Sequence, residues 1–186
     1  MRMIRQPSLS ARQQNTGVAL FISLVLLLLL TIIGVSAVQT TTLEVRMARN
    51  EHDTLLAFQA AESALRDAEG VLNLLTSSAG FTNAGTNGQW TIADLGDPDR
   101  WSLAGLWTGA LSTTAGTNVA GVAAQPRFII EHVASVVREE NAYQLDDPYA
   151  ASGADRIEMF RVTARGVGGS TTSVVMLQST FGRILD

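Results

Sequence analysis

From Val18 to Val38 the chain runs VALFISLVLLLLLTIIGVSAV, 21 residues without a charge. As a helix rising about 1.5 Å per residue, this stretch spans about 30 Å, the thickness of a bilayer's hydrocarbon core. A segment so long and apolar must be dissolved in lipid or packed against equally apolar surface. It follows a leader, residues 1–17, that holds Arg2, Arg5 and Arg12 and no acid. A positive flank before an apolar run keeps the leader in the cytoplasm and sends the remainder across the membrane. A cleaved secretory signal has a shorter apolar core, roughly 7–15 residues, ending at a small-residue cleavage site. Here Ser36-Ala37 leads straight into further helical pattern, so a retained anchor is expected.

Past Val38 the helix is expected to continue. Leu43, Met47, Asn50, Thr54, Phe58, Ala61, Leu65, Ala68, Leu72 and Leu75 recur at alternating spacings of four and three. They form one stripe, weakened only at Asn50 and Thr54, while charged residues occupy the intervening faces. No proline falls between Pro7 and Pro98. A single helix over Val18–Leu75 is about 87 Å long, half of it for the membrane and half for packing on a body. Gly34 is its expected soft point, since glycine costs about 1 kcal/mol inside a helix.

Removing the first 38 of 186 residues leaves 148, enough for one modest core. The formal net charge is −4 and all 13 basic residues are arginines spread along the chain, which argues against a nucleic-acid partner. The absence of cysteine excludes disulfides, thiol catalysis and cysteine-ligated zinc. His52 and His132 are the only histidines, which leaves little for acid–base chemistry. An enzyme is the weakest reading, and no cofactor or metal is expected.

Residues 76–126 are rich in Gly, Thr, Ser, Asn and Ala and have little periodicity. They read as a long connection with a short helix near Leu103–Leu111, pinned to the core by Trp90, Trp101 and Trp107. From Arg127 the period becomes two. Phe128, Ile130 and His132 alternate with Ile129, Glu131 and Val133. Phe160, Val162 and Ala164 follow in a second strand, and Val175, Leu177 and Phe181 in a third. Gly166, Gly168 and Gly169 separate the last two at hairpin distance, and Asn141–Asp155 reads as a surface loop. Antiparallel strands with one apolar face need a cover, and the amphipathic half of the long helix supplies it. The fold class is therefore α+β. The domains are a leader (1–17), an apolar segment (18–38), an amphipathic helix half (39–75) and a head (76–186).

Several clusters invite a chemical reading and have a plainer one. Glu51-His52-Asp53 occupies consecutive helix positions about 100° apart, so the three cannot converge, and a solvated face is expected. His132 and Glu131 alternate to opposite faces of a strand. Asp94, Asp97 and Asp99 around Pro98, and Asp146-Asp147 before Pro148, offer oxygen ligands for calcium but lack a calcium-loop spacing, so turn chemistry is favoured. Gly166-Val167-Gly168-Gly169-Ser170-Thr171 has the glycines of a phosphate loop without its lysine or following helix, and reads as a hairpin turn.

One long N-terminal helix, half apolar and half packed on a C-terminal antiparallel sheet, resembles the type IV pilins, and the PilX group of minor pilins in particular. The residues that carry the likeness are Gln13-Gln14-Asn15-Thr16-Gly17, the apolar run, Thr40-Thr41-Thr42-Leu43-Glu44 and Arg46-Met47-Ala48. Leu56-Ala57-Phe58-Gln59-Ala60-Ala61-Glu62 and FRVTARGVGGSTTSVVMLQSTF, Phe160–Phe181, complete it. The resemblance implies cleavage by a prepilin peptidase after Gly17 and N-methylation of Val18. It also implies storage in the inner membrane with the body in the periplasm, then extraction into a pilus. The implied place is at or near the tip, beside other minor pilins, the major pilin and a tip adhesin, with twitching and adhesion following indirectly.

Two departures from the pilin pattern matter. The mature chain begins with Val18 where most pilins have phenylalanine. Its fifth position is Ile22, where most carry a glutamate that pairs with a neighbour's terminal amine. The rival readings are a type II secretion pseudopilin of the same architecture and a bitopic periplasmic adaptor with an uncleaved signal anchor.

Overall fold

A computed structural model of the chain describes residues 16–137 and 156–185. Most of the leader and the Asn141–Asp155 loop, including Asp146-Asp147, therefore lie outside the described residues. The chain divides between Ala48 and Arg49 into two units. One helix, α1, runs Thr16–Asn73 through both, close to the helix predicted over Val18–Leu75. Within the first unit every residue from Gly17 to Ala48 is exposed. The hydroxyls of Ser23 and Thr31 donate back to the carbonyls of Leu20 (2.8 Å) and Leu28 (2.7 Å), which satisfies them inside an apolar run. Thr40, Thr41 and Thr42 do the same toward Ser36, Ala37 and Val38.

In the second unit five strands form one sheet: β1 (Gln89–Thr91), β2 (Thr113–Thr114), β3 (Arg127–Val137), β4 (Arg156–Val167) and β5 (Val174–Ile184). Their order is β1-β3-β4-β5, with β2 pairing β3 beside β1. The three long strands are antiparallel, as the period-two runs predict. The addition is β1, which lies parallel to β3 with Trp90 opposite Glu131. Its three residues are too few to show a period, so only the tertiary partner reveals the strand.

The core face of α1 keeps Ala61, Leu65, Ala68, Leu72 and Leu75 of the predicted stripe and departs from it at Phe58. Ala57, Ala60, Ala61, Ala64 and Ala68 are fully buried and Leu72 nearly so, whereas Phe58 is 43% exposed. The sheet is met by an alanine ridge, not by large side chains. The reason lies in β4: a Cβ on Gly166 would stand 2.0 Å from the Ala57 carbonyl oxygen and 2.4 Å from the Ala61 nitrogen. Helix and strand backbones touch there, and only small residues permit that approach. Farther along, Ala64, Ala68 and Leu72 pack with Phe81, Phe128, Ile130, Phe160, Val162 and Ala164 in the main core.

The sheet is also covered on its second face. Phe128, Ile129, Ile130 and Glu131 are buried in succession, which a strand permits only if both its sides are packed. The cover is the segment 76–126, whose Trp90 and Leu106 close over Ile129. No helix forms over Leu103–Leu111, which consists of turns. The short helical pieces are instead 3₁₀ turns at Ser78–Gly80, Thr86–Gly88 and Arg100–Ser102. Trp90 is the buried pin, its Nε1 donating to the Leu111 carbonyl at 3.0 Å. Trp101 stays 38% exposed and does not act as one.

Two arginines do much of the work that regular structure does elsewhere. Arg100 is buried, its guanidinium 5.4 Å from the Trp90 ring centre, and donates to Asn83 Oδ1 (2.9 Å) and to the carbonyls of Thr91 and Ile92. Arg127 donates to Ser112 Oγ (2.8 Å), Thr114 Oγ1 (2.7 Å) and the carbonyls of Gly109 and Ser112.

Candidate assembly and processing site

The predicted processing residues, Gly17 and Val18, lie in the first turn of α1. Val18 is 58% exposed, and a Cβ on Gly17 would meet nothing within 4 Å. Ile22 stands one turn on and is 52% exposed. α1 runs through Gly34 unbroken, with open space where its Cβ would be, so nothing around it demands glycine. The α1 helix is long and apolar enough to cross a membrane, and none of its most apolar stretch is buried within the chain. An uncovered apolar helix of this kind has two stable environments, lipid and other apolar helices.

The amphipathic half is fastened to the head by two carboxylates, Asp67 and the Asp53 that was expected on a solvated face. Glu51 and His52 are exposed, as a solvated face requires. Asp53 is not part of that face. Its carboxylate accepts the backbone N–H of Gly169 (2.5 Å) and of Ser170 (3.1 Å) in the β4–β5 turn. The glycine run that resembled a phosphate loop is thus an anion cradle, filled by the chain's own aspartate. The turn itself is the predicted hairpin, closed by Gly168 N–H to the Ser173 carbonyl at 2.9 Å. One helical face on, Asp67 accepts from Thr117 N–H (2.9 Å) and Thr117 Oγ1 (3.0 Å), tying down the connecting segment. A matching signal was present in the sequence: alanines at helical spacing in 57–68 and glycines at spacing two in 166–168. It marks a small-residue seam, and the seam places Asp53 over the turn.

Replacing Asp53 with asparagine keeps the shape and removes the charge. The loss is expected to be about 1–2 kcal/mol, the worth of charge-assisted hydrogen bonds. Faster hydrogen exchange at Gly169 and Ser170, with little change at Phe160 and Val162, is the check.

His132 and Glu131 do point to opposite faces. On the α1 face, a bulge after His132 shifts the β3–β4 register and brings two side chains onto one carboxylate. Glu158 receives His132 Nε2 at 2.6 Å and Ser135 Oγ at 2.7 Å, beside the rings of Phe81 and Phe160. Burial works to raise the Glu158 carboxyl, but the bonds from Ser135 and His132, with the charges of His132 and Arg156, hold it below its ordinary range. A carboxyl lowered by folding contributes stability above its unfolded value, about pH 4.3, that is lost as pH falls through the folded value. Urea melts from pH 7 to pH 3 are expected to show that loss, and Glu158→Gln to flatten it.

On the other face Glu131 is fully buried and takes both Arg161 Nε (3.0 Å) and Nη2 (2.9 Å). These bonds hold the Arg161 guanidinium above its ordinary value. The pair joins β3 to β4 on the sheet face away from α1. Asp94, Asp97 and Asp99 lie in exposed turns, with Asp97 N–H bonded to the Asp94 carbonyl. Among the described residues no three His, Asp or Glu side chains stand close enough to hold a metal ion.

No curated protein and no solved structure matches the chain. Two family models do, in tandem: the PilX N-terminal model over residues 16–66 and the C-terminal model of type IV pilus assembly protein PilX over 74–183. The first takes in the apolar run and the alanine ridge as far as Ala64, the second the covering segment and the sheet up to Arg183. The chain belongs to the PilX family of type IV pilus proteins.

Proposed function

We propose that this protein is a minor pilin that primes assembly of a type IV pilus at or near its tip. A prepilin peptidase cuts after Gly17, Val18 is N-methylated, and the α1 apolar run holds the subunit in the inner membrane until it is extracted. The head sits in the periplasm and makes the contacts to sibling minor pilins, the major pilin and a tip adhesin. Its work is structural, not enzymatic.

The observation that carries this reading is Ile22. The run Val18–Val38 contains no acid at all, so this subunit cannot neutralise the terminal amine of a subunit ahead of it. A buried, unpaired ammonium is costly. A subunit at the leading end has none ahead and needs no carboxylate. Ile22→Glu is therefore expected to enter the filament shaft, raising copies per pilus at least tenfold, equivalent to about 1.4 kcal/mol. Quantitative immunoblots of sheared pili read this out, and an unchanged copy number overturns the leading-end placement. Mass analysis of the mature N-terminus is the companion test. Methylated Val18 is the expected end, and an intact Met1 would favour the bitopic adaptor.

A further inference from the structure

β5 is the outer strand of the sheet order, and its outer edge has no strand partner among the described residues. It is long, and its eleven paired positions run against β4 without a bulge. Natural edges of this length are blunted by proline, by charged side chains, by a bulge, by an inward-pointing charge or by a covering element. Val174–Ile184 contains no proline and no lysine. Its one charge, the inward Arg183 that donates to the Leu72 carbonyl of α1, stands next to last in the strand, so Val174–Gly182 carries none of the side-chain devices. On the face away from α1, Val174, Met176 and Ile184 are each 40% exposed. On the α1 face, Phe181 and Leu185 pack on the main core and are only partly buried. Among the described residues nothing packs on this edge.

We infer that β5 is a docking edge that accepts an extended segment of another pilus subunit as a sixth strand. Backbone N–H and C=O groups in a row are satisfied together only by an extended chain, and apolar residues on alternate positions of the incoming strand would cover Phe181 on one face and Met176 on the other. The donor is a different chain from this one. Antiparallel pairing of two β5 edges is two-fold symmetric about an axis normal to the sheet. That operation sends the two 49–73 helical segments, which lie on the sheet faces, in opposite directions. Subunits of one filament, whose helices run in a common direction, cannot meet that way. Head-to-tail pairing finds no matching partner strand, because the far edge of the sheet is made of β1 and β2, three and two residues long.

The inference rests on the pilin reading and is tested apart from it. In the purified full chain in micelles, β5 amides alternate between protected, facing β4, and unprotected, facing outward. In subunits incorporated into pili the outward set is expected to slow at least 100-fold and the alternation to vanish. Alternation that persists in incorporated subunits overturns strand addition while leaving the pilin reading intact; failure of cleavage at Gly17 would do the reverse. Gln178→Pro and Ser179→Pro remove neighbouring N–H groups, one inward and one outward. The outward variant is expected to keep its thermal transition and lose incorporation at least tenfold; normal incorporation of a folded variant overturns the proposal. Should both variants unfold, the exchange pattern decides. The chain lacks cysteine, so single cysteines at Met176, Gln178 and Thr180 report self-pairing directly. A disulfide-linked dimer of this chain overturns the choice of donor.

Discussion

Gly166→Val is expected to unfold the head or to lower its melting temperature by about 10 °C or more. Any side chain at this position enters the α1 backbone, because the glycine Cβ direction points at the Ala57 carbonyl 2.0 Å away and the Ala61 nitrogen 2.4 Å away. Backbone atoms cannot rotate aside as a side chain can, so helix and sheet must separate. Overpacking in flexible cores costs about 1–3 kcal/mol, and this site lies at or beyond the upper end. At about 2–4 °C per kcal/mol for a body of this size, 3 kcal/mol lowers the melting temperature by about 6–12 °C, and a cost beyond that range gives the full shift. Gly166→Ala is expected to be nearly as damaging, since the first carbon already makes the clash. A thermal melt followed by circular dichroism, within a few degrees of wild type for Gly166→Ala, would falsify the close-contact seam.

Arg161→Ala is the second large effect. It leaves the Glu131 carboxylate fully buried with both hydrogen bonds gone. Breaking one member of a buried pair costs about 3–5 kcal/mol, most of it the penalty of an uncompensated charge. The pair as a whole is a different matter, because desolvating both ions offsets much of their attraction. The double variant Glu131→Leu/Arg161→Leu is therefore expected to recover most of the stability lost in the single one. Denaturant unfolding of wild type, Glu131→Leu, Arg161→Leu and the double leucine variant gives the coupling energy. A double variant as unstable as Arg161→Ala would mean that the cavity, and not the charge, was responsible.

How far these elements could be read in advance depended on how local their causes were. The long helix was legible because 21 uncharged residues and a run without proline act over neighbouring positions. The three long strands were legible for the same reason, through period two in Phe128–His132, Phe160–Ala164 and Val175–Phe181. The covering segment 76–126 was not. Its order comes from Arg100 reaching Asn83 and Thr91, and Arg127 reaching Gly109, Ser112 and Thr114, bonds between residues far apart that leave no periodic trace. Asp53 was read as a solvated charge because a helix wheel shows only its own neighbours, and the turn it binds lies 116 residues away. Phe58 was placed on the core face because size and apolarity suggested it. The seam selects for smallness instead, and excludes it.

The amino-acid sequence by itself determined the long apolar helix, the absence of any acid at Ile22, the antiparallel run of long strands and the family to which they belong. All of these follow from patterns within single segments. Tertiary structure decided which helix face meets the sheet, what the glycine-rich turn cradles, that a second layer packs on β3 opposite α1 and that β5 has no outer strand partner among the described residues. The physical reason is contact distance. Backbone touching backbone at Gly166, and a carboxylate meeting two amides at Gly169 and Ser170, are fixed by the approach of two elements and by neither one alone.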